Sequence, residues 1–161
     1  MTARFRYRSP IGPLLVEATD EGVIGVSFGD GGPSRAGVSA RARANVEAAR
    51  DALDSYFAGR APPSPPLHLE GTPFQRLVWQ ALREIPWAEV RTYGEIAKAL
   101  GLPGAARAVG GANHRNPVAI LVPCHRVVQT EGRLGGYAGG LDVKRWLLAH
   151  EAAHAPALRA P

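Results

Sequence analysis

Along the first third of the chain, apolar positions alternate with polar ones. Residues 4–8 put Phe5 and Tyr7 on one face and arginines on the other, the period of a half-buried strand. Gly12-Pro13 punctuates the run. Residues 14–18 and 23–28 are short, apolar and rich in β-branched side chains, with Asp20-Glu21-Gly22 as the turn between them. The pattern predicts an antiparallel meander. After a Gly-, Pro- and Ser-rich loop over 29–37 the period lengthens, and Val46, Ala49, Leu53, Tyr56 and Phe57 recur at helical spacing until Gly59. Residues 61–66 contain four prolines, which suit neither a helix nor an interior strand. They divide a supporting α/β unit, 1–66, from a second unit, 67–152, and 153–161 is expected to be a frayed tail.

The second unit opens on a helix start. Thr72 can cap, Pro73 fits the first helical position and Gln75 completes a capping box. Phe74, Leu77, Val78, Ala81, Leu82 and Ile85 form the expected apolar stripe. A second start has Thr92 with Glu95 three residues on, and Tyr93, Ile96, Ala97 and Leu100 share a face. Gly101-Leu102-Pro103-Gly104 is a turn, and 105–113 reads as a third helix rich in small residues. Two short helices joined by such a turn predict a helix-turn-helix, the second helix facing nucleic acid. Residues 119–122 read as a short apolar strand leading into Pro123-Cys124-His125-Arg126. A glycine-rich loop over 132–140 precedes a last helix near 142–151, with Val143, Trp146 and Leu147 inward.

Composition narrows the classes. The 161 residues are 45% hydrophobic and 20% charged, as in a globular protein. No apolar run approaches bilayer-spanning length. Residues 1–10 carry three arginines with no apolar run behind them, so no secretory signal is read and the expected location is the cytoplasm. The one cysteine excludes an internal disulfide and a cysteine-rich zinc site. Residues 1–70 balance eight Arg against eight acids. Residues 71–161 hold eleven Lys and Arg against six acids, so the whole net charge of +5 lies in the half that carries the cysteine. That asymmetry suits a polyanionic partner.

The chemistry centres on Cys124. Cationic neighbours lower a thiol's pKa, and the thiolate is a strong nucleophile. His125 has the proton affinity to take the thiol proton, directly across a turn or through water. A carboxylate holding the imidazole would complete a relay; Glu131, Asp142 and Glu151 lie C-terminal to it, and Glu151 ends a helix with an inward stripe.

The run Val122-Pro123-Cys124-His125-Arg126-Val127-Val128 resembles the active-site signature of the methylated-DNA–protein-cysteine methyltransferases, the O6-alkylguanine-DNA alkyltransferases. Thr92-Tyr93-Gly94, Ala106-Arg107-Ala108-Val109-Gly110, Asn116-Pro117-Val118, Gly136-Tyr137-Ala138-Gly139-Gly140 and Trp146-Leu147-Leu148-Ala149-His150-Glu151 resemble the family in order and spacing, covering roughly 72–152. The resemblance implies an α/β protein: a ribonuclease-H-like antiparallel sheet with a helix, then a mostly helical, winged-helix-like domain with a helix-turn-helix. It implies single-use repair of DNA, moving the alkyl group of O6-alkylguanine to Cys124, with O4-alkylthymine as a further candidate substrate.

By the same resemblance, His125 is the base through a water, Glu151 holds it, Asn116 braces the cysteine turn and Tyr93 donates to the departing guanine. Arg107 is the finger that fills the gap left by the flipped nucleotide. Gly94, Ala105, Gly110, Gly111 and Thr130 join it and Tyr93 on the DNA surface, in the minor groove. Val127, Tyr137, Ala138 and Gly139 form the substrate pocket. Ala138 and Ala119 stand where some relatives have serine and proline. Some relatives hold zinc through cysteines in the first half; this chain has none there, so neither metal nor cofactor is expected, and the protein is expected to be a monomer on double-stranded DNA without a membrane. Two other readings stay open: a lesion-binding protein that transfers nothing, and a cysteine hydrolase using Cys124, His125 and Glu151.

Overall fold

A computed structural model describes residues 1–32, 34 and 36–156. Strands β1 (Ala3–Ser9), β2 (Gly12–Thr19) and β3 (Gly22–Phe28) form the antiparallel meander in the order β1-β2-β3. Phe5 stands opposite Val16 and Tyr7 opposite Leu14. The apolar face of β2, Leu14, Val16 and Ala18, is fully buried. Helix α1 (Ala40–Phe57) covers it with Ala42, Val46, Ala49, Leu53 and Tyr56. Ser39 caps this helix by accepting from the amide of Ala42, and the Tyr7 hydroxyl donates to Asp54 at 2.7 Å, tying α1 to β1.

The outer edge of β3 is paired twice. The amide of Val23 donates to the carbonyl of Pro66 at 2.8 Å and that of His68 to Val23 at 2.9 Å. Further along, the amide of Val26 donates to Pro117 at 3.0 Å and that of Ala119 to Val26 at 3.0 Å. The proline run therefore ends on the sheet, and the segment before the cysteine lies against the first half of the chain.

Residues 119–122 are not the expected strand. Only Val118 makes a bridge, to Val26; the chain then turns, with Leu121 donating back to Ala119, Val122 to Val118, and Ile120 at φ 71°. The run is apolar because the turn itself is buried, and a short apolar run does not distinguish a buried turn from a strand.

Both capping boxes form, at α2 (Pro73–Arg83) and α3 (Tyr93–Ala99). The stripe of α2 is shifted from expectation: Val78 and Leu82 are buried, Leu77 is 55% exposed, and Trp79 is buried with its indole N–H donating to the carbonyl of Ala112 at 2.8 Å. That bond joins α2 to α4 (Ala106–His114). Helices α2, α3 and α4 pack on one another as the helix-turn-helix unit. The two residues of β4 (Arg91–Thr92) pair in parallel with β5 (Val127–Val128). Helix α5 (Leu141–Ala153) packs on the 3-10 turn Cys124–Arg126. Leu147 is buried as expected and Val143 and Trp146 half-buried, while Lys144, absent from the expected stripe, is fully buried. Of the expected tail, 157–161 lie outside the described residues. Among the described residues no helix is long and apolar enough to cross a membrane.

Candidate active site

Local hydrogen bonding explains how the cysteine is presented. The Asn116 side chain donates to the carbonyl of Val122 at 2.8 Å and accepts from the amide of Val118 at 3.0 Å, closing the 116–122 turn on itself. The 3-10 turn follows, with Arg126 N–H bonded to the carbonyl of Pro123 at 3.0 Å. From α4, the Asn113 side chain donates to the Cys124 carbonyl at 3.3 Å. The parallel β4–β5 pairing then sets the residue after β4, Tyr93, beside the cysteine turn.

Cys124 is 6% exposed and lies in the wall of a cavity of about 830 Å³. Tyr93, Gly94, Arg107, Gly110, Asn116, Thr130, Tyr137 and Ala138 line it too, so most of the sequence-nominated residues converge there. Val127 does not: it is fully buried and off the cavity wall. Gly139 also lies off the wall, packed on the Phe28 ring, where a Cβ would come within 2.8 Å. Ala105 sits at the start of α4 and Gly111 on its exposed side, both outside the cavity.

His125 and Glu151 are joined as expected. His125 Nε2 hydrogen-bonds Glu151 Oε2, and both side chains are buried. The other candidates, Glu131 and Asp142, are exposed. Burial alone would raise the carboxyl pKa of Glu151, but hydrogen bonds and charge from His125 and Arg126 outweigh it and hold the group at about 2. Burial pushes His125 down despite that carboxylate, so the imidazole rests neutral. Its Nδ1 has no partner within the protein among the described residues, nor has the Tyr137 hydroxyl or the Asn113 side-chain oxygen. Three unpaired polar atoms around one cysteine are the arrangement expected where a polar ligand or water completes the bonding.

The thiol differs from expectation. Burial raises the pKa of Cys124, and the Asn116 side chain, the Lys144 charge and the amides of residues 124 and 125 only oppose that rise. The resting group is a thiol that must lose its proton in the reaction. Burial and the nearby Cys124 likewise raise Tyr93, so its phenol is a neutral donor.

Several functional groups were not legible in the sequence pattern. Arg126 donates from Nε to Glu151 Oε1 at 2.7 Å and from Nη1 to the Ile85 carbonyl at 2.8 Å. Lys144 donates to the carbonyls of Val127, Leu134 and Gly136, staking the glycine-rich loop to α5, and burial lowers its pKa to about 8. Phe28 of β3 lines the cavity and stacks edge-on to Tyr137 at 5.7 Å, so the first half of the chain contributes a wall. Gly135, at φ 70°, has room for no side chain, because a Cβ would lie 2.8 Å from the Tyr93 hydroxyl.

A buried cysteine backed by a histidine–carboxylate relay, opening on a cavity whose far wall is a helix-turn-helix, defines a nucleophilic-cysteine protein built to act on nucleic acid. The chain belongs to the 6-O-methylguanine DNA methyltransferase family: residues 73–153 match its DNA binding domain and residues 6–70 its ribonuclease-like domain. It is 50% identical over 149 residues to the methylated-DNA–protein-cysteine methyltransferase of Methanosarcina acetivorans, covering 90% of this chain and 95% of that one. It is 49% identical over 152 residues to the protein of the same name from Mycolicibacterium paratuberculosis, covering 92% of each. Among solved structures, Mycobacterium tuberculosis O6-methylguanine methyltransferase superposes with a TM-score of 0.82 at 42% identity, over 98% of this chain and 96% of that one. The Mycobacterium tuberculosis OGT in complex with DNA gives 0.81 at 45% identity, over 94% of each chain.

Proposed function

We propose that this protein repairs O6-alkylguanine in double-stranded DNA by moving the alkyl group to Cys124 once per molecule. The observation that carries the reading is the placing of the chain's one cysteine in the cavity wall, with the His125–Glu151 pair behind it and the helix-turn-helix in front. Residues 67–152 are the DNA-binding and alkyl-acceptor domain, supported by 1–66.

In this reading α4 enters the minor groove as a monomer's recognition element, Gly94, Ala105, Gly110, Gly111 and Thr130 approach the backbone, and Arg107 takes the place of the flipped nucleotide. Extruding the base costs a few kcal/mol, least for a weakly paired lesion. His125 Nδ1 takes the thiol proton through a water. The thiolate attacks the alkyl carbon in line, the S–C bond forms and the C–O6 bond breaks. Tyr93 donates to the departing guanine, and the proton lost by the thiol balances the one the guanine gains. The thioether product has no route back to a thiol, so no turnover follows and no cofactor takes part. Tyr137 and Ala138 close the pocket over the base, with Val127 and Gly139 as its support. A cytoplasmic location completes the reading.

Intact-mass spectrometry after incubation with O6-methylguanine duplex tests it. The expected result is one methylene added per protein, mapped to Cys124, with Cys124→Ala binding DNA but gaining no mass. Tight binding with unchanged mass would support a lesion-binding protein, and repeated turnover a hydrolase.

A further inference from the structure

The relay carboxylate takes one of its hydrogen bonds from the other half of the molecule. Tyr56 ends the buried stripe of α1 and is fully buried. Its hydroxyl donates to Glu151 Oε2 at 2.7 Å across 95 residues of sequence. The same oxygen bonds His125 Nε2, while Oε1 accepts from Arg126 at 2.7 Å and from the amide of Ala88 at 3.2 Å. The Tyr56 ring stands edge-on to Trp87 at 5.2 Å and to His125 at 6.2 Å, and its carbonyl accepts from His150 Nε2 at 2.7 Å. Ring and backbone are thus both fixed, and the hydroxyl is aimed at one atom.

We propose that Tyr56 is a positioning residue for alkyl transfer: its hydroxyl, supplied by the first half of the chain, aligns Glu151 on His125 Nε2 and so keeps the Nδ1 lone pair turned out for the Cys124 proton. The inference rests on the reading of the reaction given above. Each carboxylate oxygen accepts two donors, so Glu151 stays an acceptor and the ring proton stays on Nε2. Burial and the neighbouring Glu151 push the phenol far above its ordinary range, so it is always a donor. The groups facing Glu151 are His125 and Arg126 from the 3-10 turn, Tyr56 from α1, the Ala88 amide after α2, and Tyr137 at longer range. Those facing His125 are Glu151 and the Lys144 charge from α5, its neighbour Arg126, and the rings of Tyr56 and Tyr137. Of these, the phenol of Tyr56 is the donor that can be removed with the ring kept. Without it the carboxylate's charge is less dispersed and stabilises a protonated His125 more strongly, so the base is lost at a higher pH.

The test is single-turnover transfer from O6-methylguanine duplex to the full chain across pH. Tyr56→Phe is expected to lower the rate about tenfold, the equivalent of one hydrogen bond to a charged group, and to move the acid limb of the profile up by about one pH unit. Replacing Tyr56 with 3-fluorotyrosine, a stronger donor of nearly the same shape, moves the limb down. Tyr7→Phe removes a comparable hydroxyl, bonded to Asp54 of the same helix; it is expected to lower the melting temperature and leave the limb in place. An unmoved limb in Tyr56→Phe, whatever happens to its rate or melting temperature, overturns the proposal, as does an equal shift in Tyr7→Phe. Should Tyr56→Phe not fold, an unmoved limb in the fluorotyrosine protein decides against it. Failure of the unsubstituted protein to accept any alkyl group would instead remove the reaction itself.

Discussion

Glu151 concentrates more interactions than any other side chain of the site. Two cationic or ionisable partners, a phenol and an amide converge on it in the interior. Removing one member of a buried charged set leaves the rest uncompensated and costs about 3–5 kcal/mol. Glu151→Gln is therefore expected to lower unfolding free energy by about that much in a urea titration, with Arg126 the group left unpaired. The pH dependence has a definite sign. Glu151 is held at about 2 in the folded protein, below its ordinary value of 4.5, so its contribution is complete above the ordinary value and is lost as pH falls from there through about 2. The unsubstituted protein should lose stability in that window more steeply than Glu151→Gln, measured by thermal melts in acid. At this scale the sequence was informative where chemistry is carried by rare residue types in a short run. Cys124 and His125 stood out, and a helix end singled out Glu151 among three acids. Lys144 did not stand out, since a lysine beside an apolar stripe reads as solvated until three carbonyls are found around it. Tyr56 read as one more apolar position, because periodicity registers burial and says nothing about where a hydroxyl points.

Helix α4 is the element that meets DNA in the proposed reaction. Arg107 is exposed on it and reaches the cavity rim, while Val109 and Ala112 are buried against the helices behind. If Arg107 fills the space of an extruded nucleotide, Arg107→Ala should slow transfer from duplex DNA severely and transfer from free O6-methylguanine little. Paired rate measurements on the two substrates check this, and equal losses would assign Arg107 a role in the pocket. Helices α2 and α3 were legible because capping boxes are local, with side chain and amide three residues apart. The buried face of α2 was less so. Its six-residue stripe is wider than the arc its neighbours cover, which leaves Leu77 outside and brings Trp79 in by way of the Ala112 carbonyl. The two-residue strands β4 and β5 carry no periodic signal at all and exist through their mutual pairing.

At the scale of the molecule, the cationic excess and the helix-turn-helix share one half of the chain, whereas the sheet that braces the cysteine turn belongs to the neutral half. DNA affinity should fall steeply with added salt, log affinity against log salt losing about 0.9 per phosphate neutralised. Fluorescence anisotropy at several salt concentrations measures that slope, and a flat line would contradict a binding surface over 92–113. The division into two units was readable from the proline run, but the hydrogen bonds from Val26 to Pro117 and Ala119 were not, because long-range pairing leaves no local trace. Cys124 shows little of its surface even on the cavity wall. A reagent spent in one reaction is ruined by any stray electrophile or oxidant that reaches it first. A thiol whose pKa is raised by its burial stays protonated and is slow toward such small molecules, even though the cavity lets them approach. In the proposed reaction that reserve ends when a base inserted from outside brings its own carbon to within reach.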